Sequence, residues 1–352
     1  MRAAVWYGAR DVRVETRARL ALPADHIRIA VTYCAICGSD LNEYASGPHA
    51  IPIYAPHPVS RVQAPIILGH EFCGRVLEAG DDVHDFVQGQ RVVIEPEYRC
   101  MRCDACRRGD YNLCQHTGFA GLTGHGGMAD EAVVPAYMVH ALPDSVSDEQ
   151  AAVIEPAAGC LHALRRGRLS AGETCLIAGA GPMGLLLVQL AKVAGAREII
   201  VSDVTPKRLA LAGELGATRA VDVTKESLGE AAAEATDGRG VDIAFETVGL
   251  QSSLDEALMG LRKGGRLVLV GQFDTHPRID AAALVGREID VISAVGYRNI
   301  YPDLIAMVAD RLFDPSRIVT AKTDLSRVVE MGFERLLDPK GGAVKILVSP
   351  NG

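Results

Sequence analysis

The chain has 352 residues, more than a single small module needs and about what two ordinary domains fill. Its 48% hydrophobic and 23% charged content can bury a large core without disulfide staples, which excludes global disorder. With 36 Lys and Arg against 44 Asp and Glu, the net charge of -8 repels phosphate backbones and anionic lipid, so neither nucleic acid nor a membrane is an expected partner. No apolar run approaches the roughly 18 residues a spanning helix needs. The start, Met1-Arg2-Ala3-Ala4-Val5-Trp6-Tyr7-Gly8, turns polar too early for a signal peptide. A cytoplasmic protein is expected, whose nine cysteines stay reduced and serve metal or catalytic ends.

From residue 1 to about Pro143, short β-branched runs such as Ile27-Arg28-Ile29-Ala30-Val31 and Arg91-Val92-Val93-Ile94 are broken by Gly and Pro. They predict an antiparallel β-rich region with little helix. Beyond Pro143 the pattern changes. Strands are expected at 174–178, 198–202, 241–246, 266–270 and 289–294, alternating with helices at 184–194, 206–215 and 253–261, the last ended by the turn Arg262-Lys263-Gly264. That alternation is the signature of a doubly wound α/β domain with a parallel sheet. The stretch 230–236 reads as an Ala-rich helical surface. After Tyr301 come a helix through Leu312 and a strand at 343–348.

Cys100-Met101-Arg102-Cys103-Asp104-Ala105-Cys106, followed by Cys114, places four thiols where they can enclose one tetrahedral zinc ion. The intervening Arg102, Asp104, Arg107, Arg108 and Asp110 are too polar for a core loop, and four thiolates leave no open coordination position, so the role is structural. The second motif is Gly179-Ala180-Gly181-Pro182-Met183-Gly184, set between the strand-like Cys175-Leu176-Ile177-Ala178 and an apolar helix. Here the first glycine permits the turn, the second lets backbone approach a pyrophosphate, and the third lets helix and strand pack closely. Asp203 ends the next strand, where a carboxylate accepts hydrogen bonds from ribose hydroxyls and repels a 2'-phosphate, which favours NAD. Lys207 and Arg208 lie nearby as cations that could attract such a phosphate. Cys37, His70-Glu71 and Glu155-Pro156 are dispersed, and spacing alone does not single them out as ligands.

In this order, Cys37-Gly38-Ser39-Asp40-Leu41, Gly69-His70-Glu71, the four-cysteine lobe, Glu155-Pro156 and the dinucleotide loop resemble the zinc-dependent medium-chain alcohol and polyol dehydrogenases. Within that family, Glu43-Tyr44, the insert 47–64 and Tyr111-Asn112-Leu113-Cys114 look most like the butanediol dehydrogenases, with sorbitol and threonine dehydrogenases as near relatives. The resemblance implies a GroES-like catalytic domain over 1–150, rejoined by 299–352, and a Rossmann NAD-binding domain over 151–298. It implies a catalytic zinc on Cys37 and His70, with Glu71 and Glu155 supplying or exchanging the remaining ligands, beside the structural zinc on Cys100, Cys103, Cys106 and Cys114. Ser39 would hydrogen-bond the substrate oxygen. Gly179, Gly181, Pro182, Met183, Gly184, Asp203, Arg208 and Gly271 would meet the dinucleotide, Gly271 through its backbone to the nicotinamide or else simply as a strand end.

The activity so implied is hydride transfer between a secondary alcohol, a vicinal diol such as 2,3-butanediol with acetoin as its ketone, and NAD. Sugar-alcohol or cyclitol oxidation, and a non-catalytic zinc- and NAD-binding relative, are the competing readings. A homodimer or homotetramer joined at Rossmann sheet edges is also implied, with 289–295 as edge or buried strand. One departure stands out. Asn42 occupies the position where the family commonly carries a histidine that relays the substrate proton, and an amide cannot titrate near neutral pH. His49 or His57 in the insert is the expected substitute, against the alternative of idle loop histidines. Cys34, Cys73, Cys160 and Cys175 are expected in the core, and Arg298 near the substrate or on the surface.

Overall fold

A computed structural model describes residues 1–338 and 341–350. The chain divides into two compact units, one of Met1–Glu155, Tyr301–Asp310 and Val319–Gly352, the other of Pro156–Ile300 and Arg311–Ile318. The stretch 311–318, expected with the tail in the first unit, groups with the second, where Arg317 donates to the Glu214 carbonyl at 3.1 Å.

In chain order the first unit contains β1 (Arg2–Gly8), β2 (Asp11–Thr16), β3 (His26–Ala35), α1 (Gly38–Ser46), β4 (Ile66–Ile67), β5 (Glu71–Ala79), β6 (Arg91–Ile94), β7 (Glu97–Tyr98), α2 (Asp104–Arg107), β8 (Gly118–Phe119), β9 (Glu131–Pro135), β10 (Val139–Ala141) and α3 (Asp148–Ala151). Helix α4 (Ile154–Gly167) follows. The second unit then runs β11 (Thr174–Ala178), α5 (Pro182–Val193), β12 (Glu198–Asp203), α6 (Pro206–Leu215), β13 (Arg219–Asp222), α7 (Leu228–Ala235), β14 (Val241–Glu246), α8 (Gln251–Gly260), β15 (Leu261–Leu269), α9 (Ala281–Arg287) and β16 (Asp290–Ser293). The tail supplies α10 (Tyr301–Ala309), β17 (Val319–Asp324) and β18 (Lys345–Ser349).

The first unit is built on a sheet of order β10-β6-β5-β3-β18-β17, with β9 also paired to β3. Its pairs are antiparallel except β17 with β18. Two registers place the site: β3 pairs Ala35 with Glu71 on one side and with Leu347 on the other, so the C-terminal strand lies one strand away from β5. Phe72, Val76, Ile27, Ile29, Ile346 and Val348 share one core cluster.

The second unit carries the sheet β13-β12-β11-β14-β15-β16, parallel throughout, which is the strand order of a dinucleotide-binding fold. Strand β11 sits at its centre with all five residues buried. The expected elements recur within a few residues, joined by β13 and α9, which were not expected, and with two differences. Pairing of β14 with β15 jumps register between Val241 and Ile243, so Arg262-Lys263-Gly264, expected as a turn closing a helix, forms a bulge inside β15 with Gly264 at φ +67°. Helix α7, expected as surface, buries Leu228, Ala231 and Ala232 against the sheet. Strand β16 is the sheet edge and is largely exposed. No helix among the described residues is long and apolar enough to cross a membrane.

Candidate functional site

The first cluster is built around α1, a helix missed at the sequence level because its residues are mostly polar. Cys37 is its N-cap, and its backbone N–H donates to Asp40 Oδ2 at 2.9 Å, so the Cys37-Gly38-Ser39-Asp40 motif closes on itself. Glu71 opens β5 and His70 immediately precedes it. One donor atom each from Cys37, His70 and Glu71 lie within 4.8 Å of one another. Ser39 Oγ lies 3.3 Å from His70 Nε2.

His70 Nδ1 faces Asp40 Oδ1 at 3.7 Å, and neither atom has another partner although both are buried. Burial alone penalises a charged His70 ring, but Asp40, Cys37 and Glu155 outweigh it and hold the pKa well above the ordinary value. Burial likewise raises the Asp40 pKa, against the opposing pull of His70. The pocket therefore draws positive charge. With Nδ1 turned to a carboxylate, Nε2 is left for a cation, the usual orientation of an imidazole ligand backed by an acid. A thiolate, an imidazole and a carboxylate suit zinc, and the orphaned Asp40–His70 contact is of the kind a bound cation would tighten. The residues fit the metal.

Glu71 is less free than the sequence suggests. Lys345, on β18, places Nζ 2.9 Å and 2.8 Å from its two oxygens and 3.0 Å from the Ile36 carbonyl, with both side chains wholly buried. Burial disfavours the charged ammonium, but Glu71 and Cys37 more than restore it, and its pKa stands above the ordinary value. Glu155, in the first turn of α4 and only 8% exposed, lies outside the three-residue group, yet its charge is felt by both His70 and Lys345. Glu97 adds a further buried carboxyl, raised to about 8 mainly by burial, with Thr117 Oγ1 donating to it at 3.2 Å. Asp40 as the partner of His70, Lys345 and Glu97 were not singled out from sequence.

Of the two insert histidines, His57 is committed to backbone. Its Nε2 lies 3.3 Å from the Thr117 carbonyl and its Nδ1 accepts from Val59 and Ser60, while burial lowers its pKa. These contacts hold its ring in place. His49 is exposed and meets Ser46 Oγ at 2.9 Å, one helical turn from Asn42.

The second cluster, Cys100, Cys103, Cys106 and Cys114, also gathers its sulfurs within 4.8 Å, and all four are free thiols. Backbone N–H groups point at sulfur: Cys103 to Cys100 at 3.4 Å, Cys100 to Cys114 at 3.3 Å and His116 to Cys114 at 3.4 Å. Such donors from Cys106 and Gln115 lower Cys103 to about 6, whereas burial and neighbouring thiols push Cys106 up to about 12. Four thiolates this close cannot coexist without a cation, and their donor set is that of a closed zinc site.

In the second unit Gly179 has φ +102°, and a Cβ on Gly184 would stand 1.8 Å from the Gly179 carbonyl oxygen, so both positions demand glycine. A Cβ on Gly181 would meet nothing within 4 Å, which leaves its backbone open to a ligand. Pro182 and Met183 open α5, with Gly181 as its N-cap and proline, which needs no N–H partner, at the first position. Asp203 accepts from Ala180 N at 3.0 Å and Thr205 N at 2.8 Å, so it braces the glycine loop, with Arg208 3.9 Å away. At Gly271 a Cβ would come within 2.5 Å of the Gly249 nitrogen, so packing requires glycine there whatever binds. The wholly buried Glu246, unremarked in the sequence, accepts from Val248 N, Gly249 N and Ser253 Oγ and shapes the same turn. Cys34, Cys73, Cys160 and Cys175 are buried, and Arg298 lines a cavity of the second unit.

Residues 23–144 match the alcohol dehydrogenase GroES-like domain and residues 182–310 the zinc-binding dehydrogenase domain. The whole chain is 38% identical to (R,R)-butanediol dehydrogenase of Bacillus subtilis (strain 168) over all of both sequences. The chain belongs to the zinc-binding alcohol dehydrogenase family. This zinc-binding alcohol dehydrogenase is also 36% identical to sorbitol dehydrogenase of the same organism, over all of this chain and 98% of that one. Its fold matches the crystal structure of 2R,3R-butanediol dehydrogenase from Bacillus subtilis with a TM-score of 0.94, covering 99% of each chain. Zinc-dependent oxidoreduction of a CH–OH group with a nicotinamide dinucleotide is thereby the chemistry of this family member.

Proposed function

We propose that the chain is an NAD-dependent dehydrogenase interconverting a vicinal diol with its hydroxyketone, 2,3-butanediol and acetoin being the first pair to test. The observation that carries this is the meeting of Cys37, His70 and Glu71 beside the Ser39 hydroxyl, in one unit of a chain whose other unit carries the glycine loop. Zinc supplies Lewis acidity at the alcohol or carbonyl oxygen, and the nicotinamide takes or gives the hydride. The protein's own groups do the rest. Cys37 and His70 hold the metal, with Glu71 and Glu155 as the carboxylates that complete or exchange in its shell. Asp40 fixes the His70 ring by facing Nδ1, Lys345 balances the charge of Glu71, and Ser39 Oγ receives the hydrogen bond of the substrate hydroxyl and passes its proton outward. Cys100, Cys103, Cys106 and Cys114 hold a structural zinc.

The dinucleotide pyrophosphate lies against Gly179, Gly181, Pro182, Met183 and Gly184. Asp203, kept in place by Ala180 and Thr205, favours NAD because a 2'-phosphate would face its carboxylate. A sugar alcohol is the second reading, favoured by the nearly equal identity to sorbitol dehydrogenase. Initial rates at 340 nm with NAD and NADP over 2,3-butanediol, acetoin, sorbitol and a cyclitol separate the two. The diol reading expects kcat/KM to be greatest for butanediol with NAD; higher values for sorbitol shift the substrate, and no turnover on any of them removes the activity. We further place the chain in the cytoplasm, on its nine free cysteines, and as a homodimer through β16, on that exposed edge and on Val291 and Val295 at 40% and 60% exposure. Light scattering of Val291→Lys tests the latter: an unchanged mass excludes this edge.

A further inference from the structure

The hairpin of β7 and β8 carries a buried carboxyl that belongs to neither group of metal ligands. Glu97, which opens β7, is 2% exposed. Thr117 Oγ1 donates to its Oε1 at 3.2 Å, and the Thr117 carbonyl lies 3.3 Å from His57 Nε2, so the insert 47–64 braces this side of the hairpin. Glu97 Oε2 is buried and has no partner. Other buried carboxylates of the same unit have theirs. Glu95 accepts from Tyr111 Oη at 2.7 Å and meets His140 Nε2 at 2.8 Å, Glu71 has Lys345, and Glu43 has the amides of His49 and Ile51. A buried oxygen left bare costs stability, and its persistence points to a partner supplied from outside the chain.

The strand register shows where that partner arrives. Glu97 lies opposite Phe119 in the antiparallel pair, and directly opposed residues project from one face. The Phe119 ring stands edge-on to that of His70, with centroids 6.0 Å apart, and the charge of Glu155 is felt by both Glu97 and His70. The carboxyl thus stands on the face of the hairpin turned toward His70, whose Nε2 has the Ser39 hydroxyl beside it. Burial raises its pKa to about 8, so near neutral pH it is an acid able both to donate and to accept. Resting on the dehydrogenase activity proposed for this site, we propose that Glu97 is a specificity-determining residue: its carboxyl hydrogen-bonds the hydroxyl next to the reacting carbon, which makes alcohols with a vicinal hydroxyl the substrate class. A simple secondary alcohol leaves the carboxyl unpaired and is discriminated against.

The test measures initial rates at 340 nm on the zinc-loaded protein with NAD, for 2,3-butanediol and for 2-butanol, which lacks only the second hydroxyl. The readout is the ratio of the two kcat/KM values, because damage to the fold or to the metal site lowers both together. Glu97→Leu is expected to reduce that ratio at least about tenfold, mainly through KM for the diol, since the hydrogen bond forms on binding. Glu97→Gln, which keeps a donor and an acceptor in the same shape, holds the ratio near the native value. Thr117→Val removes the hydroxyl that holds Oε1 and lowers the ratio as well; it decides the matter if Glu97→Leu does not fold. A ratio unmoved by both Glu97→Leu and Thr117→Val, in proteins that keep two zinc ions, overturns the assignment while the dehydrogenase activity stands. No turnover of either alcohol by the native protein overturns the diol reading itself, and the assignment with it.

Discussion

Lys345→Met isolates the charge of Glu71 without removing the bulk of the lysine stem. In the native chain Nζ lies within 3.0 Å of both Glu71 oxygens and the Ile36 carbonyl, and neither side chain reaches solvent. In the zinc-free protein, where no metal compensates Glu71, the substitution therefore leaves a buried carboxylate with its counter-charge gone, a loss of about 3–5 kcal/mol where one partner of a buried pair is deleted. Trp6, the sole tryptophan, is 1% exposed in the same unit and reports its unfolding by fluorescence. At about 2–3 kcal/mol per M urea, the midpoint drops by about 1–2.5 M. The partner variant Lys345→Met/Glu71→Leu removes both charges and recovers most of that loss, because a well-packed apolar pair stands in for a buried ionic one at little cost. If Lys345→Met lowers stability by less than about 1 kcal/mol, or the double variant is as unstable as the single, the pair does not carry the charge balance assigned to it.

Other perturbations have equally definite outcomes. Gly184→Ala drives a methyl into the Gly179 carbonyl oxygen 1.8 Å away, so its unit melts earlier by several degrees and fluorescence titration finds NADH affinity reduced at least tenfold. Cys103→Ser leaves three sulfurs in the lobe; zinc content falls by one ion per chain and limited proteolysis cuts between Cys100 and Cys114. His125, lowered to about 4 mainly by burial and next by Arg17, accepts from Ile67 N as a neutral ring. The unfolded chain thus binds a proton near pH 6.5 that the folded chain refuses until about pH 4, so its contribution is present above pH 6.5 and up to about 3 kcal/mol is lost as pH falls through that window. His125→Gln should flatten the slope of urea stability between pH 6.5 and 4, and an unchanged slope assigns it elsewhere.

What the sequence discloses is what lies close together along it. The cysteine lobe and the glycine loop each fall within a short stretch, and the parallel strands of the second unit read as apolar runs because both their faces are buried. What stays hidden is long-range or locally polar. Lys345 meets Glu71 across 274 positions, and only the pairing of β18 with β3 shows it. Helix α1 escapes a periodicity search since it buries Asp40, Glu43 and Tyr44 instead of an aliphatic stripe. Glu43 then anchors the insert by accepting from the amides of His49 and Ile51, which no spacing rule anticipates. The bulge at Arg262-Lys263-Gly264 has turn chemistry, yet sits within a strand because its flanks pair with β14 on both sides.

The central claim, that Cys37 and His70 hold a second zinc apart from the thiolate lobe, is tested most directly by plasma mass spectrometry of zinc per folded chain. Two ions are predicted for the native protein and one for Cys37→Ser/His70→Gln, with the thiolate-lobe ion retained. A native content of one ion, left unchanged by that double substitution and abolished by Cys103→Ser, contradicts the account.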